Sequence, residues 1–346
     1  MKIIAFFNNK GGVSKTTTCL SVGWKLAQSG KRVLLVDLDP QCNLTGSILD
    51  PEDEALLAED YQGFAASNIH DALRPAMKGI GKKITAPDCV EVTQRENLKL
   101  LPGNVKMAEV ETQLATAMNM GNVMPAMQNV PGSFGELYNL LGEHNDLDFI
   151  LLDMSPSLGS INQVNLLLAD YFIVPMMPDI FSVMATESLA RILPQWASWS
   201  KKVEILELFK DDDIVYEFSP SIPKFLGTIV QKYNVKNGRA TRGFQIYMDN
   251  LQTAVDETLV PALQDSGFML KEDIYNRYNL KYTLAEIKDF NSLIAAAQNV
   301  GRPVFSLTEE DLYTQGSVAE AQIQNIKAFD SVFTELAVRI VEMTDA

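Results

Sequence analysis

Asn9-Lys10-Gly11-Gly12-Val13-Ser14-Lys15-Thr16-Thr17 is the stretch that decides the fold. In front of it runs Ile3-Ile4-Ala5-Phe6-Phe7, an apolar segment of the right length for one buried strand. Behind it, Cys19 to Ser29 carries Leu20, Val22, Trp24, Leu26 and Ala27 and closes on Gly30. Strand, glycine turn and helix in that order form the context of a phosphate-binding loop. The N–H groups of the turn and of the first helical residues have no intrahelical acceptor, and the helix dipole adds positive potential there. A phosphate chain supplies both the acceptors and the negative charge. In such a loop Gly11, Gly12, Val13, Ser14 and Thr17 form the cradle, Lys15 reaches the β- and γ-phosphates, and the Thr16 hydroxyl ligates a magnesium ion.

The common form of this loop is GxxxxGK[ST], and here Asn9 and Ser14 stand where it has glycine. The chain fits instead KGGxxK[ST], in which a second lysine, Lys10, comes early. On these residues it resembles the ParA/MinD group of deviant Walker A ATPases, which includes Soj-like partition proteins. The resemblance implies ATP and Mg2+ as cofactors and an ATP-dependent homodimer. It also implies that Lys10 crosses to the nucleotide of the partner subunit.

Further along, Val33-Leu34-Leu35-Val36-Asp37 is a continuous apolar run of the kind found in buried parallel strands. It ends in Asp37-Leu38-Asp39-Pro40-Gln41, and ligands in doubly wound sheets sit beyond the carboxyl ends of the strands. Two carboxylates there suit a magnesium ion and an attacking water; turn-forming aspartates before a proline are the plainer reading. The resemblance gives Asp39 the water and Asp37 a supporting, metal-side role. Cys42 replaces a glycine common in the family, which puts the local backbone in question. Leu147-Asp148-Phe149-Ile150-Leu151-Leu152-Asp153 is a strand ending in a carboxylate, the Walker B arrangement that holds magnesium. Ser155-Pro156 follow where the family has two prolines, so a freer switch loop is expected.

Composition limits the alternatives. The 346 residues, 47% hydrophobic and 21% charged, suffice for a large core. The expected organisation is one domain over 1–346, with enlarged connections near 50–96, 105–135 and 199–222. No apolar run approaches the length of a membrane span. Met1-Lys2-Ile3 leads into the first strand without room for a signal peptide. Cys19, Cys42 and Cys89 lack metal-binding spacing, and only His70 and His144 could assist them, so a cytoplasmic location is expected. The net charge of −15 opposes general binding to DNA or anionic membranes.

The remaining segments carry weaker signals. Acidic residues crowd Asp50 to Asp60. Asn68 is placed as an N-cap with Asp71 at the third helical position. Leu98 to Leu101 forms a strand, and the methionines between Met107 and Met127 are core filler or an adaptable binding face. Pro131 and Gly132 place the next helix start at Ser133. Asp170 to Pro175 and Leu226 to Gln231 are further strands. Gln231 and Pro303 are candidate adenine contacts, the latter because Gly301-Arg302-Pro303 resembles a family loop. The basic residues Lys224, Lys232, Lys236, Arg239 and Arg242 lie in a stretch, Phe218 to Met248, free of Asp and Glu. Four of them, Lys232, Lys236, Arg239 and Arg242, are candidates for salt-sensitive, non-specific DNA binding and hence nucleoid association. The final helix repeats Ile323, Ile326, Phe329, Phe333, Leu336 and Ile340, but its acidic polar face favours docking on the core over a membrane.

The expected fold is α/β, a doubly wound, mostly parallel sheet with helices on both faces, as in SIMIBI-like phosphate-loop NTPases. The expected function is a ParA-type ATPase switch for DNA partition or cargo positioning, stimulated by a ParB-like protein. The alternative is a carboxylate-activating biosynthetic enzyme of the dethiobiotin synthetase type.

Overall fold

The computed structural model describes residues 1–49, 68–79, 83–120, 127–210, 213–233, 235–236, 239–240, 242–278 and 281–346. The acidic segment 50–60 lies outside them, as do Asn234, Asn237 and Gly238 of the basic stretch. The central sheet has eight strands in the order β10-β7-β6-β1-β5-β2-β4-β3. These are β1 (Lys2–Phe6), β2 (Val33–Asp37), β3 (Val90–Glu91), β4 (Leu98–Leu101), β5 (Phe149–Asp153), β6 (Tyr171–Met176), β7 (Lys224–Tyr233) and β10 (Thr283–Lys288). Every pairing is parallel except the short β3 against β4. A separate hairpin joins β8 (Val235–Lys236) to β9 (Arg239–Ala240).

The continuous apolar strands are explained by burial on both faces. Successive side chains point to opposite sides, so β1 sends Ile3 and Ala5 into one core and Ile4 and Phe6 into the other. β5 divides likewise, Ile150 and Leu152 against Phe149 and Leu151. One face is covered by α1 (Lys15–Gln28), α11 (Leu293–Asn299) and α12 (Ser317–Asp345). The other carries α3 (Ile69–Met77), α4 (Met107–Met120), α5 (Asn129–His144), α6 (Ser160–Leu168) and α7 (Ile180–Ile205). The remaining helices are α2 (Asn43–Ile48), α8 (Arg242–Ala254), α9 (Val260–Ser266) and α10 (Glu272–Arg277).

Two local expectations change. Helix α5 begins at Asn129 rather than Ser133, because Pro131 falls in the first turn, where a missing N–H breaks no intrahelical bond. Gly132 belongs to that turn, and a Cβ there would lie 2.1 Å from the Tyr216 carbonyl oxygen. Helix α7 runs to Ile205, so the irregular connection begins later than residue 199. Asn68 caps α3 as expected, accepting from the Asp71 N–H at 3.0 Å. Helix α12 buries Ile326, Phe329, Phe333, Leu336 and Ile340 on the core. Among the described residues, no helix is long and apolar enough to cross a membrane.

Candidate nucleotide site

The site lies where β1, β2 and β5 end side by side. Between β1 and α1 the loop turns on Gly12 at φ 74° and Ser14 at φ 59°. Ser14 therefore takes the left-handed conformation for which glycine is the unstrained choice, at roughly 1–2 kcal/mol for an L-residue. Cys42 does the same at φ 54° before α2. The departures from the glycine pattern thus leave the backbone path intact and add strain at the rim of the site.

The loop is held from outside by its carbonyls. The Lys15 ammonium donates to the Lys10 carbonyl at 3.1 Å. The Gln231 amide donates to the Val13 carbonyl at 3.1 Å and to the Thr18 hydroxyl at 2.7 Å. Thr18 in turn donates its hydroxyl to the Ser14 carbonyl at 2.7 Å. Asn8 ties the loop to β6, donating to the Pro175 carbonyl at 2.8 Å while accepting the Lys10 N–H at 3.0 Å. Among the described residues, no protein acceptor takes the N–H groups of Gly11, Gly12, Val13 or Ser14.

The two carboxylates that end β2 and β5 are register partners, Asp37 opposite Asp153. Asp37 is fully buried and committed. One oxygen accepts the Thr45 N–H at 2.9 Å and its hydroxyl at 2.7 Å, and the other accepts the Asp39 N–H at 3.2 Å. Burial nonetheless pushes its pKa up to about 6. Asp153 is equally buried, yet neither of its oxygens has a full hydrogen bond. Burial, and then the Asp37 charge, raise its pKa well above the carboxylate range, against weaker pulls from the Thr16 hydroxyl and Lys15. Lys15 is also buried, and desolvation lowers its pKa to about 8 against the raising influence of Asp153 and Asp39. Asp39 accepts the Gln41 N–H at 3.0 Å through one oxygen.

Lys10 lies beside this cluster but turns away from it. Its ammonium sits 2.5 and 2.7 Å from the two Asp179 oxygens and 3.1 Å from the Ser182 hydroxyl. Asp179 is also the N-cap of α7, accepting the Ser182 N–H at 2.8 Å. Burial alone would raise the Asp179 pKa, but Lys10 and Ser182 together hold it below its ordinary value.

Of the two adenine candidates, Gln231 is 2% exposed and braces the loop through its amide nitrogen, leaving its carbonyl oxygen without a partner. Pro303 lines a narrow cleft with Thr16, Thr17 and Ser47. The basic stretch divides: Lys232 reaches over to the phosphate loop, its ammonium 3.0 Å from the Gly12 carbonyl in an exposed contact, and Arg242 starts α8 on the surface. The side chains of Lys236 and Arg239 lie outside the described atoms. The loop after β5 is tethered rather than freed, because buried Asn162 donates to the Ser155 and Ser157 carbonyls, each at 2.8 Å. Asn8, Thr45, Asn162 and Asp179 were not singled out in the sequence. Asp179 has a local signal there, a carboxylate after a proline at a strand end.

A parallel sheet with a phosphate loop after its first strand and a buried carboxylate ending a neighbouring strand defines a phosphate-loop nucleotide-binding protein. The family described as an AAA domain (AAA_31) matches residues 1–204, and the chain belongs to it, within the ParA/MinD type of phosphate-loop ATPases. Among curated relatives, the sporulation initiation inhibitor Soj of Bacillus subtilis is 29% identical over 56% of this chain and 63% of its own length. Across the first of these relatives the match takes in 48% to 74% of their length. A Corynebacterium diphtheriae protein shares the fold with a TM-score of 0.68 at 21% identity, over 99% of each chain. A pNOB8 ParA bound to nonspecific DNA shares it with a TM-score of 0.57 at 19% identity, over 99% of this chain and 98% of its own.

Proposed function

We propose that this chain is a ParA-type switch in the cytoplasm. It binds ATP with Mg2+, pairs with a second copy in that state and hydrolyses ATP slowly to ADP and phosphate. That cycle partitions plasmid or chromosomal DNA or positions another cargo, and a ParB-like protein stimulates it. One observation carries this reading: among the described residues, buried Asp153 has no full hydrogen bond at either oxygen and lies beside a loop whose N–H groups meet no protein acceptor. A hard cation suits that carboxylate, and a phosphate chain suits those N–H groups.

Asp153 and Thr16 are the groups suited to hold magnesium, with Asp37 behind them bracing the Asp39 turn. Among the described residues, no cluster of three or more His, Cys, Asp or Glu side chains could hold a metal alone. That fits magnesium, which takes one or two protein oxygens and completes its shell with waters and phosphate oxygens. When bound, the ion supplies charge neutralisation at the β- and γ-phosphates. Lys15 adds a cation on the same side. Its pKa of about 8 leaves it protonated at neutral pH, and phosphate charge favours that form further. Asp39 has one oxygen free to orient the attacking water. Lys10 leaves Asp179 to reach the partner's nucleotide. Ile180, Phe181 and Met184, 48%, 64% and 58% exposed beside Asp179, support a second copy docking on this face.

DNA contact falls to Arg242 with Lys236 and Arg239 of the hairpin, where each phosphate engaged releases counterions. That release makes the binding weaken as salt rises, and the net charge of −15 opposes it. The direct test is a titration of the chain with fluorescent ATP, with and without Mg2+. Tight Mg2+-dependent binding, lost in Lys15→Ala, is expected. Affinity indifferent to both Mg2+ and Lys15→Ala would contradict the reading.

A further inference from the structure

The end of β7 does something that a regular strand cannot. Gln231 pairs with Ile287 and Tyr233 with the next residue, Lys288, so Lys232 is an extra residue bulged out of the β7–β10 ladder. Its φ is 60°, a left-handed conformation that an L-residue adopts only where the surroundings impose it. In an unbroken strand, Gln231 and Lys232 would point to opposite faces. The bulge re-aims the second side chain so that both reach the phosphate loop. Gln231 takes the Val13 carbonyl at 3.1 Å and Lys232 takes the Gly12 carbonyl at 3.0 Å.

We infer that Lys232 is a positioning residue for phosphate binding, set on the loop by the bulge, and not primarily a DNA contact. This rests on the nucleotide-site reading above and names a residue that reading does not use. In a trans peptide the carbonyl and the next N–H point in opposite directions. An ammonium holding the Gly12 carbonyl outward therefore aims the Val13 N–H into the cradle, and Gln231 does the same for the Ser14 N–H through the Val13 carbonyl. Gly12 makes such a hold necessary. At φ 74° it lies in the left-handed region with no side chain of its own, and among the described residues no other donor takes its carbonyl. The Lys10, Val13 and Ser14 carbonyls are each held by a donor of the loop's own helix or of Gln231. The Gly12 carbonyl depends on Lys232.

Two variants test the inference in the full chain. Lys232→Gly removes the ammonium and relieves the left-handed strain, while Lys232→Arg keeps a donor in place. By fluorescent-ATP and ADP titration, Lys232→Gly should bind both nucleotides about three- to tenfold more weakly, which is the range of one charge-assisted hydrogen bond partly screened by solvent. Its nucleotide-free melting temperature should be unchanged or higher, and Lys232→Arg should recover most of the affinity. Wild-type affinity in Lys232→Gly would overturn the inference. So would a loss accompanied by a lower melting temperature, or a loss confined to DNA retention. A wild-type chain that binds no ATP at all would instead overturn the nucleotide reading beneath it.

Discussion

Two carboxylates one strand apart end in opposite circumstances. Asp37 and Asp153 are register partners, equally buried, at the same edge of the sheet. Asp37 accepts three hydrogen bonds and fixes Thr45 and the turn that carries Asp39, while Asp153 accepts none at full geometry. A buried, unpaired carboxylate opposes folding unless a partner arrives. The contrast separates a carboxylate committed to bracing from one without a full hydrogen bond, and the second is the one the Walker B reading of the sequence assigns to a metal. A strand ending in aspartate cannot make that distinction by itself, because both strands do.

The contrast breaks most directly at Asp153. Its carboxyl pKa is raised on folding, so the folded chain binds more protons than the unfolded one between the ordinary carboxylate range and the raised value. The ionised group therefore weighs against the nucleotide-free fold above that window and is harmless below it. Asp153→Asn should melt at a higher temperature than the wild type at pH 8, with the gap closing as the pH falls. It should also lose the Mg2+-dependent part of ATP affinity. A variant that melts lower at pH 8 would mean that the carboxylate is satisfied after all. Thr45→Val acts on the other carboxylate. It removes a donor to Asp37 and an acceptor for the Gly103 N–H. The expected result is a loss of about 1–3 kcal/mol of stability in denaturant unfolding, with the Mg2+ dependence of ATP binding intact. Lost Mg2+ dependence in Thr45→Val would erase the distinction between the two strand ends.

A smaller effect sharpens the account of the loop. Ser14 is left-handed without a capping hydrogen bond from its side chain. Ser14→Gly should stabilise the nucleotide-free chain by about 0.5–1 kcal/mol, because the strain released exceeds the added freedom of the unfolded chain. A destabilised Ser14→Gly would show that the serine side chain contributes more than its backbone angle suggests.

Much of this was legible in the residues. Motifs written in consecutive positions came through: the phosphate loop, the apolar strands with their terminal aspartates, the Asn68 cap and the amphipathic final helix. Contacts between distant segments did not. Nothing near Lys10 in the chain announces Asp179, and nothing near Ser155 announces the tether from Asn162. Lys232 was grouped with its basic neighbours because a gap in acidic residues is visible in one dimension. The bulge that turns it to the phosphate loop depends on pairing with β10, more than fifty residues later. Pro131 and Gly132 read as breakers in the sequence alone, because their place in the first turn of α5 is set by the fold.

Lys10 is held on Asp179 in the single chain, and the proposed function has it serve a second copy when ATP is bound. Light scattering of the wild type and Lys10→Ala, each with ATP and Mg2+ and each with ADP, tests it most directly. A doubled mass is expected for the wild type with ATP and not with ADP, and a single-chain mass for Lys10→Ala although it still binds ATP. A Lys10→Ala chain that doubles its mass as readily as the wild type would contradict the account.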